Sequence, residues 1–250
     1  MKRILARLLL FTMMIAFILT GPMPAQISTE MSASLHASGS AAKNSIKDDI
    51  ERVDIEYKAK PENPAKPART DPSYKLMGVK WDRDTLPVTY IVNPANPYGI
   101  EGDAFVSDMG IATEVWDDET ATELFNAPNR VDTAVYGVLD GKNAVAFGNY
   151  PQDGVIAVTS IWYNRKTKSI VEFDMLFDTD FNWGDAKKNP VLMDVLNIAT
   201  HEFGHSIGLA DLYSSSYAEQ TMYGYATEGE TMKRTLESGD IAGLEKMYGP

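Results

Sequence analysis

The chain has 250 residues, with 23 Lys+Arg, 35 Asp+Glu, three His and no Cys, for a formal net charge of −12. Apolar residues at 44% and charged residues at 23% describe a folded protein of one or two domains and exclude a wholly disordered chain. The acidic balance argues against a nucleic-acid partner, and the absence of Cys removes disulfides, thiolate metal sites and a Cys nucleophile.

The charge is divided along the chain. Residues 1–80 carry 12 basic and 8 acidic side chains, whereas residues 81–250 carry 11 and 27. Lys2, Arg3 and Arg7 open the sequence, followed by an apolar run from Leu8 to Leu19 and a Gly21-Pro22 exit. That run is shorter than the ~20 residues that span a bilayer, so residues 1–25 read as an export signal, or as an uncleaved anchor. Cleavage is expected near Ala25 or Ala33. Residues 26–77 are rich in Ser, Ala, Lys and Pro, with four prolines from Pro61 to Pro72. They read as a low-complexity linker or pro-segment with little core of its own. A short helix over Ile46 to Tyr57 is the local order this segment offers.

The packed domain is expected from about residue 78 to 250. Val88 to Val92 is a β-branched and aromatic strand closed by Asn93-Pro94. Phe105, Met109, Ala112 and Trp116 recur at helical spacing and predict a helix over 101–118. Strands are expected at Val131 to Val138, Ala144 to Phe147, Ile156 to Tyr163 and Ile170 to Phe177. Asn189-Pro190 then opens a helix reaching Ile207, and a last helix, Gly239 to Tyr248, presents Ile241, Leu244, Met247 and Tyr248. Strands with one helix among them and helices at the end describe an α+β fold.

The chemistry concentrates in His201-Glu202-Phe203-Gly204-His205-Ser206-Ile207-Gly208-Leu209-Ala210-Asp211. Residues four apart share a helix face, so His201 and His205 can offer two imidazoles to one ion. Neutral imidazole suits zinc, whose catalytic sites use three protein ligands. Glu202 falls beside the ion and has the chemistry of a general base. Gly208 permits the left-handed exit that would swing Asp211 back as third ligand. A second arrangement keeps both histidines and takes its third ligand from Glu219, Glu228, Glu230, Glu237 or Glu245. A third is an exported surface or adhesion module whose zinc is structural. His36, the remaining histidine, lies in the low-complexity segment.

On these residues the sequence resembles the metzincin zinc endopeptidases, their matrixin branch best, over about residues 78–250. Gln220-Thr221-Met222-Tyr223-Gly224-Tyr225 is similar to the family's Met-turn, with Met222 as an apolar floor under the metal. Ala112, Trp116 and Phe125 resemble the family's first helix region, and Leu236 to Gly249 its closing helix. The resemblance implies a mixed sheet of about five strands, an active-site helix and a C-terminal helix. It also implies a secreted, zinc-dependent endopeptidase acting on extended protein or peptide substrates, with the extracellular matrix among its settings. The expected cofactor is Zn2+, with Ca2+ near Asp174, Asp178, Asp180 and Asp185 as an addition. A monomer is expected, touching a membrane only through an uncleaved N-terminal segment that would anchor it at the cell surface.

Three departures matter. Asp211 stands where most matrixins have His. The family's latency Cys is missing, leaving occlusion, basic charge or a carboxylate such as Asp71 to do its work. No histidine remains for a structural zinc. The family's substrate-pairing edge maps to Ile156 through Trp162, with Ile156, Ala157, Val158 and Thr159 as binding residues. Tyr223 opens the specificity wall that runs to Thr235. Tyr225 is offset by one position from the metal-ligating Tyr of other metzincins.

Overall fold

A seven-stranded mixed sheet, its long inner strands buried on both faces, organises the computed structural model, which describes residues 49–61 and 73–250. The strands are β1 (Ile50–Ala59), β2 (Tyr90–Val92), β3 (Asn129–Arg130), β4 (Asn143–Gly148), β5 (Val155–Asn164), β6 (Ile170–Asp178) and, after a separate pair β7 (Trp183–Gly184) and β8 (Met193–Asp194), β9 (Tyr225–Ala226). Their order in the sheet is β3-β2-β4-β6-β5-β1-β9. The run from β3 to β6 is parallel, β6/β5 and β5/β1 are antiparallel, and β1/β9 is parallel. β3 through β5 supply the expected five strands; β1 and β9 extend them beyond β5.

Three α-helices accompany the sheet: α1 (Gly102–Asp117), α2 (Val195–Ser206) and α3 (Ser238–Tyr248). Phe105, Met109, Ala112 and Trp116 of α1 are all fully buried. Trp116 donates its indole N–H to the Thr200 carbonyl at 2.9 Å, joining α1 to α2. Phe203 of α2 packs edge-on against Tyr90 and Phe125, with centroids 5.2 and 5.3 Å away. Aromatic burial of this kind is the main stabilising contribution, about 2–3 kcal/mol per side chain. The Tyr248 hydroxyl of α3 donates to the Ile207 carbonyl at 2.8 Å, and the Trp81 indole donates to Ser206 at 2.8 Å, so the C-terminal end of α2 is held from two sides.

Several local expectations change. Ile50–Ala59 is a strand, because Arg52 through Lys58 alternates polar and apolar residues and puts Val53, Ile55 and Tyr57 on one face. It lies in the same compact unit as the rest, Ile46–Pro250, upstream of the expected start at 78. No strand forms over Val131 to Val138: the Gly137 and Val138 amides donate to the Asp174 carboxylate at 2.7 and 3.2 Å instead of to a neighbouring strand. α2 begins at Val195, six residues after Asn189, because Asp194 caps it by accepting from the Asn197 amide at 2.9 Å. Ile156 to Trp162 is not an open edge, since β1 is paired along it. The expected signal segment, His36 and Asp71 lie outside the described residues. Among the described residues no helix is long and apolar enough to cross a membrane.

At the end of α1, half-buried Asp117 accepts the Leu124 amide through Oδ1, while its Oδ2 is buried without a partner. Burial is the main cause that pushes this carboxyl up to about 7. The folded state therefore binds a proton that the unfolded chain releases near pH 4, and stability falls as pH rises from about 4 to 7. Asp117→Asn is expected to gain on the wild type across that window by about 1–3 kcal/mol, discounted for partial solvent access. Urea melts at several pH values read this difference directly, and parallel curves would reject it.

Candidate metal centre

α2 is buried along its length except at Leu196. His201 and His205 project from one face with ring centroids 4.7 Å apart and planes nearly perpendicular. Each ring is fixed through Nδ1: His201 to the Thr221 carbonyl at 2.6 Å and His205 to the Leu209 carbonyl at 2.8 Å. Carbonyls only accept, so both Nδ1 atoms carry hydrogen and both Nε2 atoms are turned inward toward a shared centre.

The helix ends abruptly at Gly208, whose φ of +108° is left-handed and whose missing Cβ would sit 2.2 Å from the Val79 carbonyl. Beyond this turn Asp211 returns to the histidines, with Oδ1 3.3 Å from His201 Nε2 and 3.4 Å from His205 Nε2. All three atoms are buried without a hydrogen-bond partner. A tetrahedral zinc with bonds of about 2.0–2.1 Å would space neighbouring ligand atoms about 3.3–3.4 Å apart, the separation of Asp211 Oδ1 from each ring nitrogen. Among the described residues, His201, His205 and Asp211 form the one group able to hold a metal. Glu230 is paired with Lys233 at 2.7 Å and Glu237 caps α3, so neither is the third ligand.

The electrostatics agree. Burial, reinforced by the charge of His205 and only partly offset by Asp211, pushes His201 down to about 4. Burial acts the same way on His205, but Asp211 and Glu202 overcome it and raise that ring to about 9. Asp211 stays well below the usual carboxylate range, its burial outweighed by the two histidines. A divalent cation would supply the positive charge that Asp211 otherwise draws from His205. Glu202 is pushed up to about 7, chiefly by burial. Its Oε2 accepts from the Thr159 hydroxyl at 2.5 Å, and its Oε1 is buried without a partner.

Supporting contacts complete the centre, several of them unreadable in the sequence. Met222 packs beneath the site against Gly204, where an added Cβ would lie 2.3 Å from the Met222 sulfur. Asp240 on α3 accepts from the Thr221 and Met222 amides at 2.8 and 3.0 Å, holding the turn that fixes His201. The Tyr213 hydroxyl donates to Asp211 Oδ2 at 2.8 Å and leaves Oδ1 to the ion. Asp240 is announced only by the Glu237–Asp240 capping box, and Tyr213 by nothing in its neighbourhood. Tyr225 lies against Tyr213 and Tyr223.

The other expected residues are placed as follows. Ile156, Ala157, Val158 and Thr159 are fully buried in β5 opposite β1, and Tyr223 is buried beside Tyr225. The four aspartates named for calcium do not converge. Asp174 is taken by three backbone amides, Asp178 accepts from Tyr150 and Asp180, and Asp185 is paired with Arg234.

Gly208→Ala combines a left-handed backbone penalty with a clash on rigid backbone. It is expected to destabilise by about 2–4 kcal/mol and to weaken metal uptake in proportion. Equilibrium unfolding and metal titration measure both; an unchanged midpoint would remove the turn from the account.

The comparisons with known proteins meet this geometry. The Matrixin family model matches residues 80–249. Hatching enzyme of Paracentrotus lividus is 26% identical over 179 residues, covering 70% of this chain and 27% of its own length. Karilysin of Tannerella forsythia is 25% identical over 186 residues, covering 73% and 36%. Matrilysin of Mus musculus is 40% identical over 76 residues, covering 30% and 27%. The chain thus spans about a third or less of the length of these curated relatives. With the match running from before β2 to the end of α3, and two histidines, an aspartate and a Met-floored turn in place, the chain belongs to the matrixin family.

Proposed function

We propose that the protein is an exported zinc endopeptidase that hydrolyses peptide bonds in extended protein chains, with Glu202 as general base. The reading is carried by one observation: three buried, unpartnered ligand atoms, Asp211 Oδ1 lying 3.3 and 3.4 Å from the two ring nitrogens, beside a carboxylate with one oxygen fixed and one free. Bound zinc would polarise the scissile carbonyl and make a water acidic enough to attack near neutral pH. His201, His205 and Asp211 would hold the ion. Glu202 takes the water's proton at Oε1 and delivers it to the leaving nitrogen, while Thr159 keeps its carboxylate in the aligned orientation. Met222 and the buried walls exclude bulk water from the polar centre.

Three ligands, with no fourth among the described residues, favour this over an exported adhesion module with a closed structural zinc. The basic, apolar N-terminal segment supports export, or retention at the cell surface where it stays attached. The decisive experiment is digestion of an unstructured protein such as casein, with and without a chelator, alongside metal analysis. Zinc-dependent cleavage is expected; cleavage that survives complete metal removal would overturn the proposal.

A further inference from the structure

β1 lies where an extended peptide would have to lie to reach the metal centre. It is antiparallel to β5 from Ile50 opposite Asn164 to Lys58 opposite Val155, and parallel to β9 at Lys58–Tyr225 and Ala59–Ala226. One extended segment therefore fills the gap between the strand above α2 and the loop that follows Met222. Tyr57 projects from it into the centre. Its ring stacks on His201 with centroids 3.6 Å apart and planes 6° from parallel, and it is fully buried.

The pocket that receives Tyr57 is built for a phenol. Lys233, itself fully buried, donates to the Tyr57 hydroxyl, to the Tyr225 carbonyl and to Glu230, each at 2.7 Å. All three ammonium hydrogens are thereby used, and one of them has only Tyr57 as its partner. Glu202 is bound to Thr159, which lies opposite Ile55, and His201 lies under Tyr57. Base and metal ligand thus flank the stretch from Ile55 to Tyr57, and the Tyr57 ring on His201 marks the bond on its N-terminal side as the one to be cut. The side chains of Glu56 and Lys58 point away from the centre and pair with each other at 3.0 Å, while Arg52 anchors the upstream half through Asp54, Ser160 and the Trp162 ring.

We propose that Ile50–Ala59 is the enzyme's own first substrate: it blocks the centre, is cut between Glu56 and Tyr57, and marks a pocket that selects tyrosine after the cleaved bond. This rests on the endopeptidase reading. In the step, the Glu56 carbonyl carbon–Tyr57 nitrogen bond breaks and the oxygen of one water joins the carbon. The water's protons pass by way of Glu202 to the nitrogen, leaving a carboxylate on Glu56 and an ammonium on Tyr57. A strand held as one ten-residue ladder becomes two shorter pieces, each easier for an incoming substrate to displace.

The test uses the full chain loaded with zinc, its Glu202→Gln form, and intact-mass and N-terminal sequencing of the products. The wild type is expected to yield a form beginning at Tyr57, while the Glu202→Gln chain stays uncut. In that uncut chain, with or without zinc, the amides of residues 50–59 should resist hydrogen exchange, and Tyr57→Ala should lose at least about tenfold of that protection. Tyr57→Phe should slow self-cleavage about tenfold on a wild-type background but not with Lys233→Met, since only Lys233 reads the hydroxyl. An enzyme that digests casein with residues 50–59 uncut and attached overturns this inference and leaves the endopeptidase reading intact, as does cleavage at another bond of the strand. A zinc-loaded chain that leaves casein whole after β1 has been removed by trypsin overturns both.

Discussion

Glu202→Gln is expected to lower the rate of casein hydrolysis by about 10³-fold or more while leaving zinc content and folding unchanged. The amide matches the carboxylate in shape and can still accept the Thr159 hydroxyl, so the packing around α2 has no reason to move. What disappears is basicity at Oε1, the buried oxygen without a partner. Because Glu202 is not among the three ligand residues, metal binding should survive its neutralisation. Parallel measurement of kcat, zinc stoichiometry and thermal unfolding separates the roles. A variant keeping a tenth of wild-type activity would show that another group moves the proton.

Asp211→Ala is expected to abolish stable zinc binding, and activity with it. Two imidazoles alone leave the ion without the anionic ligand whose Oδ1 lies 3.3 and 3.4 Å from the two ring nitrogens. Tyr213→Phe provides the graded companion. It removes only the hydroxyl that orients Asp211 from Oδ2, a change worth about 10–100-fold in metal affinity. Competition with a chromogenic chelator ranks the three proteins. If Asp211→Ala bound zinc as tightly as Tyr213→Phe, the third ligand would have to be another residue.

Where the chemistry depends on local spacing, the sequence was sufficient. A four-residue separation puts His201 and His205 on one helix face whatever the rest of the chain does, and a glycine after the helix allows the reversal that brings Asp211 back. Burial at α1 and α3 followed from the 3.6-residue period of their apolar positions. Errors arose where backbone groups had partners that no local pattern announces. Residues 131–138 are rich in β-branched and aromatic side chains like a strand, yet Asp174, remote in sequence, takes the Gly137 and Val138 amides.

Composition misled most at Ile50–Ala59. The proline-rich stretch after it suggested a linker, but the alternation within it was a strand pattern awaiting a partner, and β5 is about a hundred residues away. By itself, then, the sequence determined the donor set and the order of helices, because each depends on residues only a few positions apart. Only the tertiary structure decided that β1 covers β5, that Tyr57 lies on His201, and that Tyr213, Asp240 and Lys233 complete the centre. Sheet pairing and buried polar contacts are chosen by the three-dimensional supply of unpaired donors and acceptors, which a linear pattern does not encode.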